Sequence, residues 1–245
     1  MDWRDALFLH WRTDAESIAR IIPPDLELDL YDAAAWISIV AFRITGARLR
    51  GLPRFAALPS FGEINVRTYV RDAEKPGVWF LSLDAANPLA VAAGRRALHL
   101  PYVNAQIDGS CNDATFTYRS QRAARTRGAR FEADAHDARI DVSARYEGEA
   151  RAAAPRTLEH WLAERYCFFT VDNHGRTLRG DVEHEPWPLH DATPTIASNT
   201  LLTAANITPL DGTPLAHASP GVATHAWPLR PAQTTPTNDT RMAWP

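Results

Sequence analysis

The chain has 245 residues, 45% of them hydrophobic, which is enough for one large domain with an ample core, or for two smaller ones. Lys+Arg 26 against Asp+Glu 29 leaves a formal charge of −3, which argues against an electrostatic grip on nucleic acid or on an anionic membrane surface. The N-terminal MDWRDALFLHW is too short in apolar residues for a signal peptide, and no window approaches the roughly 18 to 20 apolar residues of a membrane span, so a cytoplasmic protein is expected.

The first predicted element is a helix from Thr13, where Thr13 and Glu16 fit a reciprocal capping box. Ile18, Ile21 and Ile22 form its apolar stripe, and Pro23-Pro24 stops it. Leu26 to Leu30 and Trp36 to Ile44 read as strands, the second apolar nearly throughout and so buried on both faces. Residues 45–60 are an irregular connection. FGEINVRTYV (61–70) and Val78 to Asp84 then read as a hairpin around Asp72 to Gly77.

Asn87-Pro88 supplies the N-cap and first residue of a helix that ends at Leu100-Pro101. Strands follow near 103–108, 114–120, 129–135 and 138–146. Thr157 caps a short helix, and Tyr166 to Val171 with Arg176 to Glu183 forms a second hairpin. A last short helix is expected over 196–205 and a last strand over 223–228. Residues 1–229 read as one α+β domain, mostly antiparallel β and barrel-like, and the proline- and threonine-rich 230–245 as a loose tail.

In the strand 61–70, Gly62, Ile64, Val66, Thr68 and Val70 share one side, which suits a core. Phe61, Glu63, Asn65, Arg67 and Tyr69 share the other. That alternation fits a solvent face, yet two aromatics bracketing Glu-Asn-Arg fit the lumen of a small barrel holding a polar ligand. Glu63 and Arg67 lie roughly 13 Å apart along the strand, too far to pair and far enough to hold opposite ends of a ligand. At the end of the helix AAGRRALHLPY (92–102), Arg95, Arg96 and His99 precede the break that presents Tyr102. These cations suit the helix C-terminus equally well.

FGEINVRTYV, GVWFLSLDA (77–85) and AGRRALHLPY (93–102) resemble the core of the YqjF-like family, DUF2071, within the acetoacetate-decarboxylase-like superfamily. LFLHW at 7–11, LEHWLAERY at 158–166, HEPWPL at 184–189 and Asn199-Thr-Leu-Leu are similar to the same family, so the likeness runs from about residue 5 to 230. It implies a cone-like antiparallel β-barrel with flanking helices and an interior active site. In acetoacetate decarboxylase a Gly-Arg-Glu helix end leads to a Gly-Phe-Pro-Lys-Lys turn whose first lysine forms a Schiff base. Laid on this sequence, Gly94-Arg95 takes the Gly-Arg place, Leu100-Pro101 the Phe-Pro, Tyr102 the reactive lysine and Val103 its neighbour. Glu63 takes the place of the interior glutamate.

An imine needs a primary amine activated by desolvation or a neighbouring cation. Lys75, the only lysine, falls in the hairpin turn and is expected to be solvated. Schiff-base decarboxylation is therefore not expected. The resemblance implies the barrel and its pocket. What remains is acid–base work on a small carbonyl or carboxylate compound, with Glu63 and Tyr102 as acid–base candidates, Asn65, Arg67, Tyr69, Arg95 and His99 as ligand-binding candidates and no cofactor. The alternatives are a non-catalytic small-molecule binding protein on the same barrel, and a satisfied structural network of Glu63, Arg67 and Tyr102 inside it.

Other signals are weaker. His160 and Glu164 stand at i, i+4 without a third ligand and read as a surface pair, so no metal site is expected. His184 and His190 flank Pro-Trp-Pro and fit a loop or a pocket mouth. Arg119, Arg122, Arg125, Arg127 and Arg130 read as a solvated loop, and Cys111 and Cys167 as a buried reduced pair. Self-association into a homo-oligomer is left open.

Overall fold

The computed structural model describes residues 1–47, 58–123 and 137–233. It opens on a strand that the sequence patterning does not announce, β1 (Asp2–Thr13), because Ala6 to Trp11 are apolar on both faces, His10 apart. Thr13 closes this strand. The following helix α1 (Ala15–Ala19) is capped by Asp14, whose carboxylate accepts from the Ser17 amide at 2.8 Å, so the expected Thr13–Glu16 capping box does not form. Glu16 pairs with Arg20 instead.

β2 (Glu27–Leu28), β3 (Ala35–Thr45), β4 (Phe61–Arg71) and β5 (Pro76–Ala85) follow, then α2 (Pro88–Ala97), capped by Asn87 as its Asn-Pro start predicts. β6 (Tyr102–Asn112), β7 (Thr115–Arg122) and β8 (Arg139–Arg151) form a meander. The strand expected at 129–135 lies outside the described residues. α3 (Leu158–Ala163) starts at its Thr157 cap, and β9 (Cys167–Val171) pairs with β10 (Thr177–His184).

β11 (Leu189–Asn199) takes residues 196–199 of the segment expected to be helical, because its pairing with β8, from Leu189 opposite Arg151 to Asn199 opposite Ile140, is long-range. Only α4 (Leu201–Ala204) remains helical there. β12 (Leu215–Ala226) and β13 (Arg230–Pro231) complete the sheet. The first residues past 229 are tied down, β13 to β10 and Gln233 to Asp72 and Ala73.

The strands run β13-β10-β9-β5-β6-β7-β8-β11-β12-β1-β3-β4-β2, and β4–β5 and β10–β12 also pair. Those two extra ladders close two rings. The larger is β5-β6-β7-β8-β11-β12-β1-β3-β4, and the smaller is β10-β9-β5-β4-β3-β1-β12. The wall β12-β1-β3-β4-β5 belongs to both. Its strands are therefore buried on both faces, which is why Ala35 to Phe42 reads apolar without alternation.

On one face of that wall Leu7, Leu9, Ile37, Ile39, Ile64 and Val66 join Phe116, Tyr118, Ile140 and Val142 from the far side of the larger ring. On the other face are two apolar clusters. Phe8, Val40, Phe42, Phe61 and Trp187 lie in one, and Trp36, Tyr69, Leu83, Leu162 and Phe168 in the other. Polar side chains of β1, β3, β4 and β6 share this second face.

Among the described residues no helix is long and apolar enough to cross a membrane. Both cysteines are free, but Cys111 is exposed and only Cys167 is buried, so they do not make a buried pair.

Candidate functional site

Glu63 stands on β4 opposite Phe42 on β3 and Ala85 on β5, two apolar neighbours in register. It is 3% exposed, and burial pushes its carboxyl up to about 7. Hydrogen bonding from Tyr102 and Asn65 pulls the other way, and the charge of Asp84 adds to the rise. The Tyr102 hydroxyl donates to Glu63 Oε2 at 2.9 Å. Burial and the facing carboxylate hold the phenol well above its ordinary range, so Tyr102 stays a proton donor. No ion pair among the described residues includes Glu63.

Tyr102 is positioned by the helix end before it. Gly94 is buried, and a side chain there would collide with the Tyr102 ring. The Gly94 carbonyl accepts from the Leu98 and Leu100 amides, and the Leu100 carbonyl accepts from the Tyr102 amide at 2.8 Å. Arg95 folds back so that its Nε donates to the Tyr102 carbonyl at 2.7 Å, leaving a buried Nη2 without a partner. Arg96 is exposed, so Arg95 is the arginine that turns inward. His99 adopts φ 51° and gives its carbonyl to Thr170 at 2.6 Å, which ties it to β9 rather than to Glu63.

A second polar group shares the same wall face. His10 on β1 pairs with Ser38 on β3, which pairs with Arg67 on β4, so the three form one row across three strands. One row away stand Phe8, Val40 and Asn65. Ser38 Oγ lies 2.6 Å from His10 Nδ1 and 2.6 Å from the Tyr69 hydroxyl, which donates to the Leu162 carbonyl at 3.2 Å. Arg67 Nη2 donates to the same carbonyl at 3.3 Å. Burial, then His217 and then Arg67, hold the His10 imidazole well below its ordinary range, so it is neutral. Asn65 Oδ1, Arg67 Nε and His10 Nε2 are buried with no hydrogen-bond partner.

The chain shares 37% identity over 228 residues with "Uncharacterized protein YqjF" of Bacillus subtilis (strain 168), across 93% of this chain and 90% of that one. Residues 1–223 match DUF2071, described as "Uncharacterized conserved protein". The chain belongs to the DUF2071 family. Its fold is similar to that of an acetoacetate decarboxylase from Legionella pneumophila, with TM-score 0.59 and 11% identity over 96% of this chain and 86% of that one. It is also similar to the enduracididine biosynthesis enzyme MppR complexed with pyruvate, with TM-score 0.62 and 14% identity over 94% and 90%. At such identities the likeness establishes the acetoacetate-decarboxylase-like fold.

In this DUF2071 chain the only lysine is far from Glu63. Arg71 pairs with Pro76 at the turn of the β4–β5 hairpin, and Glu63 pairs with Ala85 at its open end. Lys75 therefore sits roughly 25 Å along the ladder from Glu63. It is not fully solvated as expected, since its ammonium pairs with Asp181 at 2.9 Å.

Other sequence expectations are corrected as well. Arg122 is buried inside the larger ring, where its Nε meets both oxygens of Asp84 at 2.9 and 3.0 Å and its Nη2 donates to Ser82. It is not part of a solvated basic loop, and Arg125, Arg127 and Arg130 lie outside the described residues. Glu164 accepts from Tyr166 and from the Trp187 amide instead of pairing with His160. His184 is buried among Trp3, Tyr166 and Trp187. No group of metal-ligating side chains occurs among the described residues.

The sequence reading missed His10, Ser38 and His217. The available signal was a lone serine inside the apolar WISIVAF, and a histidine ending ALFLH on the same strand pair.

Proposed function

We propose that this protein carries out acid–base chemistry on a small carbonyl or carboxylate metabolite, without a Schiff-base lysine, at the site built on Glu63. The observation that carries this reading is a buried carboxyl near neutrality, in contact with a protonated phenol and in no ion pair among the described residues. Such a group exchanges a proton readily at physiological pH, in either direction.

In this reading the ligand's carboxylate docks on Arg67, whose Nε is buried and unpaired. Glu63 as carboxylate takes a proton from the carbon beside the ligand's carbonyl. The C–H electron pair moves into the enolate, and Tyr102 donates a hydrogen bond to the enolate oxygen. Reversal returns the proton to carbon. Asn65 orients the ligand, and Arg95 holds Tyr102 in place through its carbonyl. A fold neighbour complexed with pyruvate supports a small oxo-acid as the ligand class. Lys75, at the far end of the hairpin, takes no part.

The second reading is non-catalytic binding of the same ligand class, favoured by the same unpaired Asn65 and Arg67 atoms, because anchoring needs no turnover. Deuterium exchange at the carbon beside the carbonyl, followed by NMR in D2O over a panel of small oxo-acids, separates the two. Exchange above the buffer rate that is lost in Glu63→Gln, with binding retained, supports catalysis. Binding without exchange establishes the second reading, and exchange unchanged in Glu63→Gln removes Glu63 from the mechanism.

A further inference from the structure

The contacts around His10 favour one placement of its proton. The Leu162 carbonyl can only accept, so the Tyr69 hydroxyl spends its proton there. The 2.6 Å contact between Tyr69 and Ser38 then requires the Ser38 proton. The 2.6 Å contact between Ser38 and His10 in turn requires a proton on Nδ1. The three shorter contacts, with one proton each, are satisfied together when His10 carries hydrogen on Nδ1 and a bare lone pair on Nε2, and that Nδ1 proton also faces the Tyr69 oxygen at 3.3 Å. That Nε2 is buried and has no partner.

His10 is 1% exposed and stands in the same row as Arg67, two strand spacings or about 10 Å away. Arg67 Nε offers an unused donor, and Asn65 Oδ1, one row on, an unused acceptor. The groups facing the imidazole are Phe8 and His217, with ring centroids 6.1 and 6.0 Å away, together with Ser38 and Tyr69. None supplies a donor to Nε2 among the described residues. Buried acceptors without partners are rare in folded proteins, and two of them on the same wall face as an unpaired guanidinium nitrogen describe the complement of a ligand. That complement is an anionic acceptor joined to a hydroxyl donor.

We propose that His10 Nε2 reads a hydroxyl group on the ligand, so that the site selects a small hydroxy-carboxylate whose carboxylate lies on Arg67 and whose O–H donates to His10. Ser38 and Tyr69 act as positioning residues that hold the imidazole in the accepting tautomer. The inference rests on the small-molecule reading above and adds the ligand's second functional group.

The test is isothermal titration of the full chain with lactate and with propionate, which differ by the hydroxyl alone, for the wild type, Ser38→Ala and Arg67→Ala. The wild type is expected to bind lactate about tenfold more tightly than propionate, the size of one well-made hydrogen bond. Ser38→Ala is expected to erase that preference while leaving propionate affinity unchanged, and Arg67→Ala to weaken both acids. Equal binding of the two acids by the wild type, with both weakened by Arg67→Ala, overturns the hydroxyl reading and leaves the site standing. Binding of neither acid, or binding indifferent to Arg67→Ala, overturns the site together with the inference. Nitrogen-15 NMR of the labelled imidazole gives an independent readout. A protonated Nδ1 that shifts to a mixture in Ser38→Ala is expected, and a protonated Nε2 in the wild type would contradict the assignment.

Discussion

The ring of Tyr102 packs against Gly94 so closely that a side chain at position 94 would collide with it, although the two residues belong to different elements, α2 and β6. The helix end and the strand start are thereby locked, and the phenol is aimed at Glu63. Gly94→Ala should gain up to about 1 kcal/mol of helix propensity and lose about 1–3 kcal/mol to overpacking. A net loss in chemical denaturation is expected, together with an upward move of the Glu63 titration as the Tyr102 hydrogen bond lengthens.

Glu63 makes stability depend on pH in a particular direction. Its carboxyl binds a proton up to about 7 in the folded chain, against 4.5 for the ordinary group. Between those values the folded state holds more protons than the unfolded state, so stability falls as pH rises from 4.5 to 7 and stays lower above it. The difference corresponds to about 3 kcal/mol. Glu63→Gln has no charge to bury, so it should match the wild type at pH 4.5 and exceed it at pH 8 by up to that amount. Melting temperatures measured at both pH values check this, with a gap on the order of 5–10 °C expected only at pH 8.

Tyr102→Phe should act oppositely on the same group. It removes the largest of the hydrogen bonds that lower the Glu63 carboxyl, so the titration should move above about 7. Above that pH the buried carboxylate loses a partner, at a cost of about 1–3 kcal/mol. The loss should shrink at pH 5.5, where the carboxyl is protonated in both proteins.

On the opposite face of β5, Arg122 and Asp84 form an ion pair with side chains 2% and 0% exposed. Arg122→Met leaves Asp84 as an uncompensated buried carboxylate and should cost about 3–5 kcal/mol. Adding Asp84→Asn should recover most of that loss, which urea unfolding of the two variants would show.

What the sequence made legible was local. Asn87-Pro88 and Thr157 announce α2 and α3 because a capping side chain satisfies amides within three residues of itself. The apolar run of β3 announces burial on both faces. Features set by distant pairing stayed hidden. β1 has no clean alternation because both of its faces are buried, and 196–199 becomes strand because Ile196 and Asn199 meet Val142 and Ile140 on β8. The candidate site divided in the same way. The alternation of β4 put Glu63, Asn65, Arg67 and Tyr69 on one side, but it could not choose between solvent and lumen. That choice depends on β12, β10 and β9 closing the smaller ring. Arg122 was misread because its partner Asp84 is 38 residues away.

The most direct measurement is a titration of the Glu63 carboxyl by carbon-13 NMR of the glutamate-labelled chain, assigned by the signal missing in Glu63→Gln. A midpoint near 7, displaced when a small oxo-acid is added, is the predicted result. A midpoint near 4.5, unmoved by the panel, would mean that the carboxyl is solvated and would contradict an acid–base site at Glu63.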